Sequence, residues 1–432
     1  MKRILTVTCC TLLMACTFGQ NLLDIYKSGT VYLKPQSEYG RGNNWNDLFS
    51  GYYDKLGSQQ VGDEKKIIVS DEGEVFMSHK NHYQIWRFDK DGTLVGKYGE
   101  KGVKPSQFAM MPSIETIVDD KYYLTTDING RLKLFTMDGE YYKSIKMDIM
   151  PRSIFARGNF HALFVGSVLW STQWRYLVVD LNLETGKYDI VYSRFYPKGE
   201  FKLRKEVVDG DTIRFGYSTF GQGSISIPGN VYVNRPHIAF TKNGNFVAAE
   251  PTEQAAKFFS SDGKLINEFN FDIEPISITD KDVEQRYNAV SAMFEETIER
   301  VRKNDWTEAR KEKWLEMYRE YIEELKEVYK DRDNYLPTLP YFSKIFFDSD
   351  DNMLVFEFTR KEDIIDNKFS VIAYSSDGKR IAEASLVSED YDLTITEETI
   401  VFHKGYLYAV CKKKNEEGIP LRLVKFRLST TK

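Results

Sequence analysis

Apolar and polar positions along the chain alternate in short runs broken by Gly, Asn and Asp. Ile67-Ile68-Val69 meets Ser70-Asp71-Glu72-Gly73 and resumes at Val75-Phe76-Met77. Ile117-Val118 meets Asp119-Asp120 and resumes at Tyr122-Tyr123-Leu124, and Phe155-Ala156 meets Arg157-Gly158 before Phe160. The same figure returns at Ile238-Ala239-Phe240 with Thr241-Lys242-Asn243-Gly244, at Ile345-Phe346-Phe347 with Asp348-Ser349-Asp350-Asp351, and at Ile400-Val401-Phe402 with His403-Lys404-Gly405. Strand, polar turn, strand is the hairpin signal, because Gly, Asn and Asp tolerate the positive φ of tight turns. A second turn then recurs as an aromatic strand end with Asp-Gly: Phe88 with Asp91-Gly92, Phe135 with Asp138-Gly139, Phe259 with Asp262-Gly263, Tyr374 with Asp377-Gly378. Thr185-Gly186 and Glu417-Gly418 take that place in the third and last units. Six units of four strands predict an all-β fold, a six-bladed β-propeller whose radial closure removes exposed sheet edges. Thr30-Val31-Tyr32-Leu33 is the extra strand expected to complete the last blade.

Two segments break the rhythm. Residues 197–232 are rich in Gly and β-formers and read as an inserted hairpin or long loop. Residues 279–332 switch to a helical period: Val283, Tyr287, Val290, Phe294, Ile298 and Val301, then Trp314, Leu315, Tyr318, Ile322, Leu325 and Tyr329. Thr279 or Asp280 offers the cap, and Asn304-Asp305 the break. An α-helical hairpin inserted between blades four and five is expected. Its apolar stripe must bury on something, either the side or mouth of the propeller or a docked partner.

The N-terminus has Lys2 and Arg3 before an apolar run too short to span a bilayer stably. This reads as an export signal over residues 1–19, or 1–15 if Leu13-Met14-Ala15-Cys16 is a lipobox and Cys16 is lipidated. Residues 20–432 then form the propeller, at the periplasm or the outer-membrane or cell surface. Cys9, Cys10 and Cys16 fall in that leader, which leaves Cys411 alone in an apolar strand, so stability must come from core burial and not from disulfides. The formal net charge of -5 argues against nucleic-acid binding. A lipid anchor would be the sole membrane attachment.

Gly96-Lys97-Tyr98-Gly99-Glu100-Lys101-Gly102, followed by Gln107-Phe108 and Pro112-Ser113-Ile114, resembles the connector between blades of NHL-repeat propellers. The strand pair from Tyr123 through Asn129-Gly130-Arg131 to Phe135 resembles the one that follows it there. The likeness holds over about residues 66–148 and weakens afterwards. The whole chain is similar to the exported NHL-like or TolB-like six-bladed propellers of Bacteroides-type bacteria, often of unknown function.

Candidate chemistry is sparse. Pro112-Ser113, Pro151-Arg152, Pro236-His237 and Pro340-Tyr341 each precede the first strand of a unit by a similar offset, where proline's missing N–H is tolerated. Ser113, Arg152, His237 and Tyr341 are therefore expected at one level around the channel, as a ligand-binding ring for an anionic or sugar-like molecule. Lys65 or Lys66 and Glu397 or Glu398 take the corresponding places in the other units. His79 and His82 lack a third ligand nearby in sequence, and no nucleophile elbow, P-loop or His-Glu-x-x-His occurs. Trp170 and Trp174 suit either packing or sugar stacking, and the Asp348-Ser349-Asp350-Asp351 run is an incomplete calcium loop. The leading reading is an exported, non-enzymatic ligand- or protein-binding propeller with no catalytic residues and no cofactor. Its partner would be a small molecule, a glycan or an envelope protein. Resemblance to NHL-like lyases implies the alternative of a metal-dependent lyase or hydrolase at the channel mouth, with zinc or calcium. A carbohydrate-binding propeller is the third reading.

Overall fold

The computed structural model describes residues 21–49, 66–79, 82–109, 112–127, 131–170, 173–197, 201–208, 211–218, 236–359, 368–375, 378–396, 399–417 and 419–432. The expected export signal, with Cys16, lies outside the described residues. Four antiparallel four-stranded sheets come first, spanning residues 67–98, 113–146, 150–197 and 237–270. Each is a meander, as short apolar runs joined by tight polar turns require. The expected first hairpins are all present, with type-I′-like turns where two residues take positive φ: Asp119-Asp120, Asn159-Phe160 and Lys404-Gly405.

Apart from a two-stranded hairpin, Phe201–Val208 with Asp211–Ser218, the remaining strands form one nine-stranded sheet. One arm holds Phe342–Phe347, Met353–Glu357, Lys368–Tyr374 and Arg380–Val387; the other holds Tyr391–Asp392, Ile400–His403, Tyr406–Lys413 and Leu421–Ser429. The Thr30–Pro35 strand joins them. It pairs antiparallel with Leu421–Ser429, as a completing strand should, and also parallel with Arg380–Val387 through Thr30–Ser385, Val31–Leu386 and Tyr32–Val387. Two open edges are thereby covered by one strand.

Successive sheets bury their faces on one another. Phe76 and Ile85 of the first meet Ile114, Tyr123 and Phe135 of the second. Leu124 and Leu134 meet Phe164 and Leu177 of the third, and Leu163 and Val178 meet Phe246 and Phe259 of the fourth. Val247 and Phe258 meet Ile345 and Val355, and Leu354 and Val371 meet Leu407 and Phe426. Last, Tyr408 and Leu423 meet Val75, Trp86 and Phe88 of the first sheet. The chain therefore has a mostly β, propeller-like fold.

The recurrent Asp-Gly turn gains a reason here. Gly139 and Gly263 sit at φ +84° and +82°, and a Cβ would collide with Tyr98 in the one case and with the Val191 carbonyl in the other. Both obstacles lie on the last strand of the preceding sheet. The turn is at once a positive-φ position and a seat against the neighbour.

The helical pair is α3 (Asp280–Arg302) and α4 (Glu308–Lys330), in chain order after the short helices α1 (Leu22–Lys27) and α2 (Trp45–Phe49). Thr279 caps α3 in a reciprocal box: its hydroxyl accepts from the Asp282 N–H and Asp282 accepts from the Thr279 N–H at 2.8 Å. The stripe is buried mainly within the pair, Phe294 and Ile298 against Tyr318, Ile322 and Leu325. Among the described residues Phe358 packs on the pair from the body of the fold, and α4 also leans on the hairpin of Phe201–Val208 and Asp211–Ser218, through Val208.

Candidate functional site

The sequence-predicted ring sits at the start of the first strands. Ser113 opens Ser113–Val118, opposite Thr126. His237 opens His237–Phe240, is buried, and lies edge-on to Phe342 at 6.2 Å. Tyr341 immediately precedes Phe342–Phe347, and its N–H donates to the Pro251 carbonyl at 2.7 Å. Arg152 falls at a bulge between Pro151 and Ser153; its side chain lies outside the described residues, as do Lys65, Glu397 and Glu398. Pro151 lies within Met150–Gly158 and not before it, which an unpaired inner edge permits. Lys66 is not a free ring cation. It is mostly buried in an ion pair with the buried Glu115, which also accepts from the Thr126 hydroxyl at 2.9 Å.

The opposite ends of the same strands carry the open volume. A cavity of about 750 Å³ lies among the turns of the first hairpins. Tyr341 and Phe347 are six residues apart, so the two ends are separated by about 20 Å of extended chain. Phe155, Phe240, Phe347 and Phe402 form its apolar wall. Phe155 and Phe240 stack at 5.3 Å with 18° between their planes. Asp71, Lys242, Asp348, Ser349, Asp350, Asp351, His403 and Lys404 make the polar rim, and Asn21 and Leu22 at the start of α1 complete it. From the sequence the Phe wall and the charged rim are expected in first strands and their turns, and only Asp348-Ser349-Asp350-Asp351 stands out, as an incomplete calcium loop. The signal that could have found them is the aromatic at or near the end of four first strands, each followed by a charged turn.

Hydrogen bonds tie the turns to one another. The Asp119 carboxylate accepts from the Phe160 N–H at 3.0 Å, and Asp351 accepts from the Lys242 N–H at 2.9 Å. Ser349 Oγ accepts from the Gly405 N–H at 2.8 Å. Lys242 Nζ donates to the Ser349 carbonyl and Lys404 Nζ to the Asp71 carbonyl. Sequence-distant turns thus hold the rim in one geometry, which lowers the ordering cost of binding there.

Asp348 is buried and accepts from the Asp350 and Asn352 N–H groups at 2.8 and 2.9 Å. Its lone pairs serve the turn. Burial pushes its carboxyl up, against the pull of the Asn352 hydrogen bonds. Burial also lowers the His403 pKa, helped by Lys404 and opposed by Asp71. Its remaining nitrogen, Nε2, is buried and has no hydrogen-bond partner among the described residues.

Other candidates resolve as follows. His79 is buried, with its ring 4.3 Å from His82 and 4.2 Å from Trp86. Among the described residues no three His, Cys, Asp or Glu are grouped to hold a metal ion. Trp170 and Trp174 end two paired strands, and their side chains lie outside the described residues. Cys411 is a buried core residue whose thiol burial pushes well up. Among the described residues no helix is long and apolar enough to cross a membrane.

Fold and cavity together define a propeller-like protein with an open mouth. No family model and no curated protein matches the chain. Among solved structures it is similar to a member of the DUF4221 family from Bacteroides vulgatus, with 13% identity, 93% of this chain and 96% of the other covered, and a TM-score of 0.45. It is also similar to virginiamycin B lyase from Staphylococcus aureus, with 13% identity, 84% of each chain covered and a TM-score of 0.34. Regucalcin, a calcium-binding protein from Agrobacterium tumefaciens, matches at 7% identity over 84% of this chain and 91% of the other, with a TM-score of 0.39. With scores this low, none of the three bears on function, and the propeller-like fold stands on this chain's own sheets and cores.

Proposed function

We propose that the protein is an exported, non-enzymatic binding protein of the cell envelope, built as a six-bladed propeller with the helical pair between blades four and five. Its ligand occupies the cavity among the first-hairpin turns, and the strand-start ring of Ser113, Arg152, His237 and Tyr341 is not the primary site. One observation carries this reading: a volume near 750 Å³, within the range of ligand pockets, walled by four Phe side chains and rimmed by turns that hydrogen bonds fix in place. The closed set of cores between successive sheets supports the blade count. The leader supports export. No cofactor is part of this reading. Ligand-observed NMR with a small-molecule panel tests it. Hits on the wild type should vanish in a Phe240→Trp variant that fills the cavity and melts at the same temperature. Hits that survive the filling, or a catalytic turnover abolished by Arg152→Ala or His237→Ala, overturn it.

A further inference from the structure

We infer that the cavity selects a hydrogen-bond-donating cation carried on an apolar body, such as a primary amine or guanidinium attached to an aromatic or aliphatic group. The inference rests on the proposed reading that this cavity binds a ligand, and it names the chemistry of that ligand. The wall is apolar: Phe155, Phe240, Phe347 and Phe402 offer ring faces and edges and no hydrogen bonds. An apolar body is therefore required for affinity, and a cation near an aromatic face gains further attraction.

The rim is acceptor-rich in two ways. Four carboxylates line it, Asp71, Asp348, Asp350 and Asp351, against two ammonium groups, Lys242 and Lys404. Neither ammonium answers a carboxylate. Lys242 Nζ is committed to the Ser349 carbonyl and Lys404 Nζ to the Asp71 carbonyl, so their donors stitch the turns. Among the described residues none of the four carboxylates stands in an ion pair. Asp348 and Asp351 accept N–H groups of the turns, and Asp71 and Asp350 are the exposed rim carboxylates. An anionic ligand would meet this excess of carboxylates over ammonium groups.

Three probes of one shape separate the possibilities: 4-phenylbutylamine, 4-phenylbutanol and 4-phenylbutyrate, titrated calorimetrically into the full mature chain at neutral pH. The amine is expected to bind at least tenfold more tightly than the acid, with the alcohol between them. Asp350→Asn removes an exposed rim charge and is expected to reduce the amine's advantage severalfold while leaving the alcohol unchanged. Equal affinity for all three, or preference for the acid, overturns the charge selection and leaves the cavity as a binding site. Amine binding that persists in Phe240→Trp places it elsewhere and also overturns the inference. No binding by any of the three, with the fold intact by circular dichroism, removes the cavity reading itself.

Discussion

Lys66 and Glu115 join the first strands of two neighbouring sheets, with side chains only 11% and 4% exposed. Neither partner can be removed alone without stranding a buried charge. Glu115→Ala is expected to cost about 3–5 kcal/mol in urea unfolding, and Lys66→Met with Glu115→Leu to recover most of that. A single-mutant cost under about 1 kcal/mol would show that water already solvates the pair. His403 makes a second residue-scale test. Its folded pKa is depressed, mainly by burial, so the folded state resists a proton that the unfolded chain accepts near about 6.5. Its contribution is thus fully present above that value and declines as pH falls toward the depressed pKa. Melting temperatures of wild type and His403→Gln should match or favour wild type at pH 7.5 and shift against it toward pH 5; a pH-independent difference rules this out. Sequence points to Lys66 only as a ring residue, and to Glu115 not at all. Glu115 was one carboxylate among many, and its role depends on a bulge between Ile114 and Thr116 that only pairing reveals.

Among elements, the outer turns and the helical pair are the most exacting. Gly263 and Gly405 have nearly the same φ, +82° and +77°, but a Cβ at Gly405 meets nothing within 4 Å whereas one at Gly263 strikes the Val191 backbone. Gly405→Ala should therefore cost only the backbone term, about 1 kcal/mol, and Gly263→Ala clearly more. Equal losses by denaturant unfolding would mean that the sheets part freely at that seam. In the helical pair, Thr279→Ala removes a capping box and should cost about 1 kcal/mol, seen as earlier loss of helical circular dichroism. The turns, the inserted hairpin and the Thr279 cap were legible because each is local: periodicity and turn residues decide them within a few positions. The partner of α4 was not legible, since Val208 lies about a hundred residues from the helices in sequence.

At the scale of the molecule, the Thr30–Pro35 strand decides whether the structure closes. Val31 and Leu33 are buried, and the strand saturates the edges of both Arg380–Val387 and Leu421–Ser429. Deleting residues 21–35 should leave two open edges and drive association, read as oligomers by size-exclusion chromatography and a lowered melting temperature. A monomeric deletion with unchanged melting would show that the cores between sheets suffice. Closure joins residues about four hundred positions apart, so it follows completion of the chain and is the slow, non-local part of folding.

Strands, tight turns, blade-like units and the helical pair were determined by the sequence alone, because alternation, Asp-Gly turns and a 3.6-residue period act over short distances. Ser113, Arg152, His237 and Tyr341 were singled out by the same local logic, and they lie at or near the starts of first strands. Tertiary structure decided which end of those strands holds the open volume. It also turned Lys66 into half of an ion pair, and it spent Lys242 and Lys404 on backbone carbonyls of neighbouring turns. The physical reason is that a side chain's chemistry is set by what remains unsatisfied after packing. In a ring of sheets those partners come from the adjacent unit, dozens to hundreds of residues away.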